Sequence, residues 1–417
     1  MAMNGPLSGF RDFLPAAMSV RNEMVTKIKS VYEKFGFLPL ETPGVERYET
    51  LMGKYGEDEK LIYNFEDKGG RKIALRYDLT VPLARVVGQY LNDIALPFRR
   101  YQVGNVWRGE SPQTGRYREF MQFDADVVGA KGELVEAEII AMMVESMKAL
   151  GIEAVVRINN RKILDSLAKK LKLDVEKTAK MMNLIDKAEK VETEVMRQWL
   201  MEEFGEEVAI QIASFMEITG STQQRVQKVE ELLGGEDEGL ASLKLVFEYL
   251  RKMSVNSSEF VFDQTIARGL SYYTGIVYET KVVAMPELGS VCSGGRYDNL
   301  IKQLGGPDLP AVGTSIGVDR LLVAMEKVGS QRINNKRILV TNWGGKAMET
   351  AIQLVAKLRS NGEYCELYPE TVKIEKQMKY ADKNRFDEVY LVGEVELNLG
   401  KVLIKNMVTG EQKLVDL

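Results

Sequence analysis

The chain has 417 residues, of which 45% are hydrophobic and 28% are charged, and its formal net charge is −4. This length predicts two or three domains, and the charge excludes a generally basic coat for nucleic acid. The absence of histidine and the presence of two cysteines exclude imidazole catalysis, an HExxH zinc site and a disulfide framework. The sequence carries no membrane-length apolar run and no signal peptide, so a cytoplasmic protein is expected.

The amino-terminal part of the chain predicts a helix, short strands and a second helix. Apolar residues at helical spacing occupy Met18–Phe35, and Gly36 follows as a helix stop. Pro82 fits the first turn of the second helix, where proline is tolerated. The other predicted elements of this part are strands at 37–41, 61–65 and 72–76 and the helix at 79–89.

The segment Phe98–Val127 is the most informative part of the sequence. Two strand-like runs flank a loop, and the second run has polar side chains at the alternate positions Gln122, Asp124 and Asp126. Alternate residues of a strand share one face, so these side chains are expected together. Five arginines lie in the same segment, namely Arg99, Arg100, Arg108, Arg116 and Arg118. Because guanidinium groups suit phosphate, the segment predicts an anion site, with a solvated hairpin as the alternative.

The middle of the chain changes character twice. Residues Arg161–Met253 are rich in Lys, Glu, Leu and Met at helical spacing, which predicts a helical insertion. Strand signals then return near Phe260, and the glycine-rich stretch Gly289–Gly295 predicts a turn that a ligand can approach closely, with tight packing as the alternative. The other predicted elements are helices at 133–150 and 297–304, strands at 154–158, 259–263 and 272–283, and a turn or strand entering a helix at 311–328.

The last part of the chain follows a polar linker at Ser330–Lys336. Strands and helices alternate beyond it, and Gly362 stands where a helix carboxyl cap belongs. This alternation predicts a small, doubly wound α/β domain. The expected domains are therefore 1–330, with the helical insertion at about 161–255, and 331–417.

Two more segments carry residues suited to a charged or flat ligand. Arg268 precedes the adjacent Tyr272 and Tyr273, which can form the wall of a flat pocket beside a developing negative charge. Arg320 lies one turn into a helix that follows a glycine-rich stretch, from where it can reach a phosphate. Buried aromatic residues and a surface arginine explain each segment equally well when it is taken alone.

Taken together, these segments occur in the order and spacing of the class II aminoacyl-tRNA synthetases, and the chain closely resembles the histidyl-tRNA synthetase family. The resemblance extends over nearly the whole chain apart from the helical insertion. Its motifs are ETPGVE (41–46, motif 1), LRYDLTVPLAR (75–85), VWRGESPQTGRYREFMQFDADVVG (106–129, motif 2), ARGLSYYTGIVYE (267–279), VCSGGRYDNL (291–300) and AVGTSIGVDRLL (311–322, motif 3). The tail at 375–412 resembles the family's anticodon-binding domain.

The resemblance implies a class II core, with a mixed, mainly antiparallel sheet and flanking helices, followed by an α/β anticodon-binding-like domain. It also implies a histidine–tRNA ligase that uses ATP and Mg²⁺, takes L-histidine and tRNA(His), and forms a homodimer through motif 1 near Pro43. No metal ligand is implied among the protein side chains.

The catalytic roles that the resemblance implies fall on arginines. Arg108 would hold the α-phosphate of ATP and the amino-acid carboxylate, Arg268 would stabilise the charge that develops at the α-phosphate, and Arg320 would hold the γ-phosphate. Glu110 and Arg116 would also contact ATP, and Gln113 would meet the acceptor end of the tRNA.

The resemblance also implies a pocket for histidine. Asp78, Thr80 and Gln122 would bind the α-ammonium group, and Asp126 would face an imidazole N–H. The remaining implied contacts to the amino acid are Leu79, Arg108, Arg268, Tyr272 and Tyr273.

One departure leaves two other interpretations open. The family usually has aspartate where this chain has Ser271, and this departure implies that Arg268 would lose an orienting partner. The alternatives are a histidine-sensing regulator similar to the non-catalytic subunit of ATP phosphoribosyltransferase, and a tRNA-binding paralogue without ligase activity. The regulatory subunits typically lack the carboxyl-terminal domain that this chain retains.

Overall fold

A computed structural model describes residues 5–113, 115–267, 272–328 and 336–417. The chain divides into two units, Met1–Ser330 and Gln331–Leu417. The strands of the first unit are β1 (Leu38–Pro39), β2 (Val45–Arg47), β3 (Asn64–Glu66), β4 (Lys72–Leu75), β5 (Phe98–Trp107), β6 (Glu119–Val128), β7 (Ala154–Asn160), β8 (Phe260–Phe262), β9 (Ile276–Val282), β10 (Ser290–Arg296) and β11 (Ala311–Gly317).

The helices of the first unit include six in the predicted insertion. The α-helices are α1 (Pro15–Lys34), α2 (Tyr48–Leu51), α3 (Thr80–Gln89), α4 (Glu133–Ala149), α5 (Arg161–Lys170), α6 (Val175–Lys187), α7 (Thr193–Phe204), α8 (Glu206–Met216), α9 (Thr222–Leu233), α10 (Glu238–Lys252), α11 (Leu300–Gln303) and α12 (Val318–Val328). The described 3-10 turns are Gly56–Leu61, Leu91–Asp93, Ala188–Lys190 and Pro286–Leu288. The prediction of a helical insertion is confirmed, because α5 to α10 follow one another without a strand between them.

An eight-stranded sheet forms the centre of the first unit. Its strand order is β1-β5-β6-β11-β10-β9-β7-β8, and β2, β4 and β3 form a separate small sheet. The pairs at the two edges, β1 with β5 and β7 with β8, are parallel, and the pairs between them are antiparallel. The predicted mixed, mainly antiparallel core is therefore confirmed.

Alternation along β6 gives the large sheet one apolar and one polar face. Phe123, Ala125 and Val127 belong to the main hydrophobic core, together with residues of α1 and α4 such as Ile28 and Met143. The alternate residues of β6 point away from that core, as expected for a strand. The helices therefore cover one face of the sheet, and the other face is available for a site.

The glycine-rich stretch at 289–295 is mostly a strand, β10, and the prediction of a turn there is wrong. A Cβ on Gly294 would lie 2.0 Å from the carbonyl oxygen of Gly313 and 2.8 Å from the ring of Tyr278. The Tyr278 hydroxyl donates a hydrogen bond to that same carbonyl oxygen, at 2.8 Å. Glycine is thus required because the ring crosses the strand closely, and not because the chain turns.

Other boundaries also differ from the predictions for this part of the chain. The strand predicted at 61–65 is β3, which begins at Asn64 after a 3-10 turn that ends at Leu61, and the strand predicted at 37–41 is limited to β1. Tyr272 and Tyr273 precede β9 and do not belong to it, and the helix predicted at 297–304 is limited to α11. Gly36 follows α1 with a φ of 78°, as its role as a helix stop requires.

The second unit is built on a five-stranded sheet. Its elements are β12 (Arg337–Val340), α13 (Gly345–Ser360), β13 (Tyr364–Leu367), α14 (Ile374–Lys383), β14 (Glu388–Leu391), α15 (Glu394–Asn398), β15 (Lys401–Asn406) and β16 (Gln412–Asp416). The strand order is β13-β12-β14-β15-β16, with β12 parallel to both of its neighbours. The predicted α/β alternation is confirmed, and an antiparallel hairpin, β15 with β16, extends the sheet beyond the predicted elements.

Candidate active site

A cavity of about 980 Å³ lies against the polar face of the large sheet. The residues predicted for the site line it, with two exceptions. Leu79 is fully buried in the core beside it, and Arg268, like Ser271, lies outside the described residues. The predicted residues that line the cavity are Asp78, Thr80, Arg108, Glu110, Gln113, Arg116, Gln122, Asp126, Tyr272, Tyr273 and Arg320.

Strand register arranges the floor of this cavity in rows that cross the sheet. The first row, which we call the Asp126 row, contains Arg100, Asp126, Gly313, Gly295 and Val277. The next row lies two residues away along each strand and is polar throughout. Its members are Gln102, Asp124, Ser315, Ser293, Glu279 and Arg157.

Asp126 is buried and is held by two residues that sequence reasoning missed. Its Oδ2 lies 2.7 Å from Nη2 of Arg100, and its Oδ1 accepts a hydrogen bond from the hydroxyl of Tyr297. Burial raises the pKa of Asp126, and Arg100 and Tyr297 oppose that rise. A Cβ on Gly313 would lie 1.8 Å from Oδ1, so glycine is needed there to leave space for the carboxylate.

Asp78 lies at the start of α3. Its Oδ1 accepts hydrogen bonds from the backbone N–H groups of Thr80 and Val81, at 3.2 and 3.0 Å, and from the hydroxyl of Tyr55, at 3.0 Å. Burial is the largest influence on the Asp78 carboxyl and raises its pKa. Leu79 acts here through its backbone, because its carbonyl oxygen accepts a hydrogen bond from Arg100 at 3.0 Å.

Asp124 and Gln122 bring further acceptors to the same face. The pKa of Asp124 is raised to about 7, with burial as the largest cause and Asp126 as a smaller one, while Arg100 and a hydrogen bond with Ser315 oppose the rise. Gln122 donates a hydrogen bond to the Ser315 hydroxyl at 2.8 Å. Within the described parts of the chain, Oδ1 of Asp124 and Oε1 of Gln122 have no hydrogen-bond partner. These oxygens suit a ligand that donates hydrogen bonds or carries positive charge.

The arginines lie in other parts of the same cavity. The guanidinium of Arg108 stacks over the rings of Tyr77 and Phe120, at 4.4 and 5.2 Å, and its Nε donates to the carbonyl oxygen of Tyr77 at 3.1 Å. Nη1 of Arg320 donates to the carbonyl oxygen of Ser290 at 2.6 Å. Aromatic rings and a backbone carbonyl hold the guanidinium of Arg108, and a backbone carbonyl holds that of Arg320. Both residues line the cavity.

The five arginines of the predicted anion site do not act together. Arg108 and Arg116 line the cavity, and Arg116 lies 3.5 Å from the carboxylate of Glu110. Arg100 pairs with Asp126, and Arg99 pairs with Glu138 at 2.6 Å. The fifth, Arg118, donates to the carbonyl oxygen of Glu110 at 3.1 Å.

A group of charged residues connects the cavity floor to the helical insertion, and no sequence motif pointed to it. Arg157 lies 2.8 Å from Glu279 and 2.5 Å from both Asp263 and Glu189. Lys281 forms an ion pair with Glu189 as well. Glu189 belongs to the turn that follows α6, so the insertion contributes a carboxylate to the cavity wall.

The described residues contain neither a cluster placed to hold a metal ion nor a helix that could cross a membrane. No group of three or more Cys, Asp or Glu side chains in them is placed to hold a metal ion. No helix in them is long and apolar enough to cross a membrane.

Comparisons with known proteins agree with this geometry. A family model described as histidyl-tRNA synthetase matches residues 9–321, and one described as an anticodon-binding domain matches residues 337–417. The histidine–tRNA ligase of Clostridium tetani is 42% identical over 423 residues, which cover 99% of this chain and 95% of that protein. The corresponding ligase of Wolinella succinogenes is 41% identical, over 98% of this chain and 94% of that protein.

A solved structure gives the same relationship in three dimensions. The crystal structure of a histidyl-tRNA synthetase from Nostoc sp. PCC 7120 superimposes with a TM-score of 0.88 at 33% sequence identity. The match covers 100% of this chain and 97% of that one. The similarity therefore includes both units of the chain.

Proposed function

The chain belongs to the histidyl-tRNA synthetase family, and from this premise we propose how its cavity performs the histidine–tRNA ligase reaction. The carboxylate of L-histidine attacks the α-phosphate of ATP, which forms histidyl-adenylate and releases pyrophosphate. The histidyl group then passes to the terminal ribose of tRNA(His), and AMP leaves. The observation that carries this proposal is one cavity with buried acceptors at Asp78 and Asp126 and cations at Arg108 and Arg320.

The activation step in this proposal depends on positioning and charge stabilisation. A carboxylate nucleophile is already ionised at neutral pH, so the absence of a histidine base is no obstacle. Arg108 contacts the α-phosphate and the histidine carboxylate, and its stacked guanidinium is held for that purpose. Arg320, Arg116 and Glu110 bind the remainder of ATP, and Arg268 retains its proposed role at the α-phosphate.

Histidine is recognised at the Asp126 row. Asp126 accepts the imidazole N–H while Arg100 and Tyr297 fix its carboxylate. Asp78, Thr80 and Gln122 bind the α-ammonium group, and Tyr272 and Tyr273 form the wall of the pocket. A site with buried acceptors rejects ligands that cannot donate to them, by a factor of about 10⁴.

Magnesium enters this scheme with the nucleotide. Mg²⁺ is usually bound by substrate phosphates and water with one or two carboxylates, and not by a cage of protein ligands. The ion supplies additional charge neutralisation at the phosphates when it is bound.

The other proposed partners are tRNA and a second copy of the chain. Gln113 is exposed at the cavity mouth, where the acceptor end of the tRNA can approach. In the second unit, the exposed Lys373, Lys376, Lys379 and Lys383 can attract tRNA phosphates. Pro43 of motif 1 is also exposed, as a homodimer contact requires.

The alternative of a non-catalytic regulator has less support. The similarity to histidine–tRNA ligases extends over nearly the full chain, and the anticodon-binding model matches its last part. The departure at Ser271 is the one observation in favour of an inactive paralogue, and it lies outside the described residues.

Pyrophosphate exchange tests the proposed function. The purified protein should exchange labelled pyrophosphate into ATP when histidine is added, and other amino acids should give background rates. Exchange that is absent with every amino acid would favour the regulatory alternative. Exchange that depends on a different amino acid would contradict the assigned pocket.

A further inference from the structure

A lysine outside the predicted site lines the same cavity, next to a residue that Arg320 contacts. Lys281 is on β9 and lines the cavity. It is paired with Ser290 of β10, and the carbonyl oxygen of Ser290 accepts a hydrogen bond from Arg320 at 2.6 Å. Lys281 is therefore the backbone neighbour of the residue that the Arg320 guanidinium contacts.

The position of Lys281 along β9 relates it to the amino-acid end of the cavity. Val277 lies in the Asp126 row, and Lys281 follows it by four residues on the same strand. Four residues of extended chain measure about 13 Å. Because β9 also lies three strand spacings, about 14 Å, from the strand that carries Asp126, Lys281 lies at the end of the cavity away from the amino-acid pocket.

The partner of Lys281 is a carboxylate that a ligand can replace. In the part of the chain that the structure describes, Lys281 pairs with Glu189, whose side chain is 48% exposed. Arg157 differs from Lys281, because it also pairs with Asp263 and Glu279 on the sheet side. A phosphate that displaced Glu189 would keep the charge of Lys281 neutralised, so the exchange has little electrostatic cost.

We propose that Lys281 binds the β- or γ-phosphate of ATP beside Arg320, and that Glu189 of the helical insertion occupies Lys281 when the nucleotide is absent. This inference depends on the proposed function, since it takes the cavity to be an ATP site. Glu189 then acts as an internal competitor of the nucleotide at Lys281, and it keeps its ion pair with Arg157 when ATP binds. The alternative is that the Lys281–Glu189 ion pair only holds the helical insertion against the sheet.

Two substitutions separate these interpretations because they act with opposite sign on ATP binding. Lys281→Met removes the cation and should raise the KM for ATP about tenfold or more, as expected for the loss of a charged hydrogen bond. Glu189→Gln removes the competitor and leaves the cation, so the KM for ATP should fall, and an unchanged KM would contradict the role of Glu189 as a competitor. If Lys281 were only a structural tie, both variants would break it and both would raise the KM for ATP.

The assay is pyrophosphate exchange at saturating histidine, with the KM for histidine measured in parallel. Lys281→Arg should restore much of the ATP affinity. Lys302→Met is the matched control, because Lys302 also forms an ion pair, with Asp308 at 2.8 Å, but does not line the cavity. Thermal unfolding of each variant detects a general loss of structure.

The outcomes are distinct. A Lys281→Met variant that folds and has an unchanged KM for ATP overturns the inference, and so does a raised KM in both Lys281→Met and Glu189→Gln. A wild-type protein without histidine-dependent exchange contradicts the proposed function itself, and the phosphate role of Lys281 is lost with it.

Discussion

At the scale of single residues, specificity in this cavity depends on how Asp126 is held. Arg100 and Tyr297 both contact its carboxylate, and Asp126 and Arg100 are almost completely buried. Breaking a buried ion pair by removing one partner typically costs about 3–5 kcal/mol of folding free energy. The hydroxyl of Tyr297 is the more informative group to remove, because the ion pair then stays intact.

We expect Tyr297→Phe to raise the KM for histidine about tenfold and to leave the KM for ATP unchanged. The reason is that Asp126 loses the donor that fixes one of its oxygens, while the phosphate contacts lie elsewhere in the cavity. Pyrophosphate exchange with each substrate varied in turn measures both constants. Tyr101→Phe is the matched control, since its hydroxyl contacts Glu33 at 2.9 Å outside the cavity. Equal changes in both KM values would contradict the assigned role.

The raised pKa of Asp124 predicts that the free energy of unfolding depends on pH. Burial raises its pKa to about 7 from an ordinary value of 3.8, so the folded chain holds a proton that the unfolded chain releases between these values. This contribution to the free energy of unfolding therefore decreases as the pH rises from about 4 to about 7, and it is constant above that.

Asp124→Asn removes this titration. The stability of the variant relative to the wild type should therefore increase between about pH 4 and pH 7 and then level off. Urea unfolding of both proteins at several pH values measures the difference, in which the other titrating groups largely cancel. A difference that stays constant across this range would mean that Asp124 has an ordinary pKa.

The sequence predicted part of this residue-level geometry. Alternation in β6 placed Gln122, Asp124 and Asp126 on one face, and all three line the cavity. It did not predict Arg100 and Tyr297, because their contacts depend on the register of β5 against β6 and on the path of the chain after β10. Alternation within one strand carries no information on either.

At the scale of elements, β10 shows how packing can override the local signal. Glycine is depleted in strands, so a glycine-rich stretch normally indicates a turn. Here the ring of Tyr278 and the carbonyl oxygen of Gly313 leave no space for a side chain at Gly294. The contact joins strands that are not adjacent in sequence, which is why the local pattern could not predict it.

We therefore expect Gly294→Ala to destabilise the first unit by about 3 kcal/mol or to prevent its folding, as overpacking of a tight core does. Gly44→Ala is the control, because its Cβ would meet the ring of Trp107 at an ordinary distance of 3.5 Å. Urea unfolding of both variants provides the comparison. A stable Gly294→Ala protein would show that β10 can move away from Tyr278.

At the scale of the whole molecule, the two units each have their own hydrophobic core. The alternation of strands and helices beyond residue 336 predicted most of the second unit. It did not predict β15 and β16. The helix before β15 has only five residues, and β15 and β16 form a hairpin with no helix between them, so the alternation of strands and helices ends there. The order of the core strands could not be read from the chain either, since strands far apart in sequence, such as β6 and β11, are neighbours.

Truncation separates the roles of the two units. A protein that ends at residue 330 should retain histidine-dependent pyrophosphate exchange, because the cavity is built from the first unit. Its rate of tRNA charging should fall by about tenfold or more, as expected when phosphate contacts to the tRNA are lost. Equal losses in the two assays would contradict an anticodon-binding role for residues 331–417.

We propose that one cavity binds an imidazole amino acid at Asp126 and a nucleotide phosphate at its arginines. The most direct measurement is a crystal structure of the protein with a non-hydrolysable sulfamoyl analogue of histidyl-adenylate. The claim predicts an imidazole nitrogen within hydrogen-bond distance of Asp126 and the sulfamoyl group within hydrogen-bond distance of Arg108. An analogue bound with its imidazole away from Asp126, or bound outside this cavity, would contradict it.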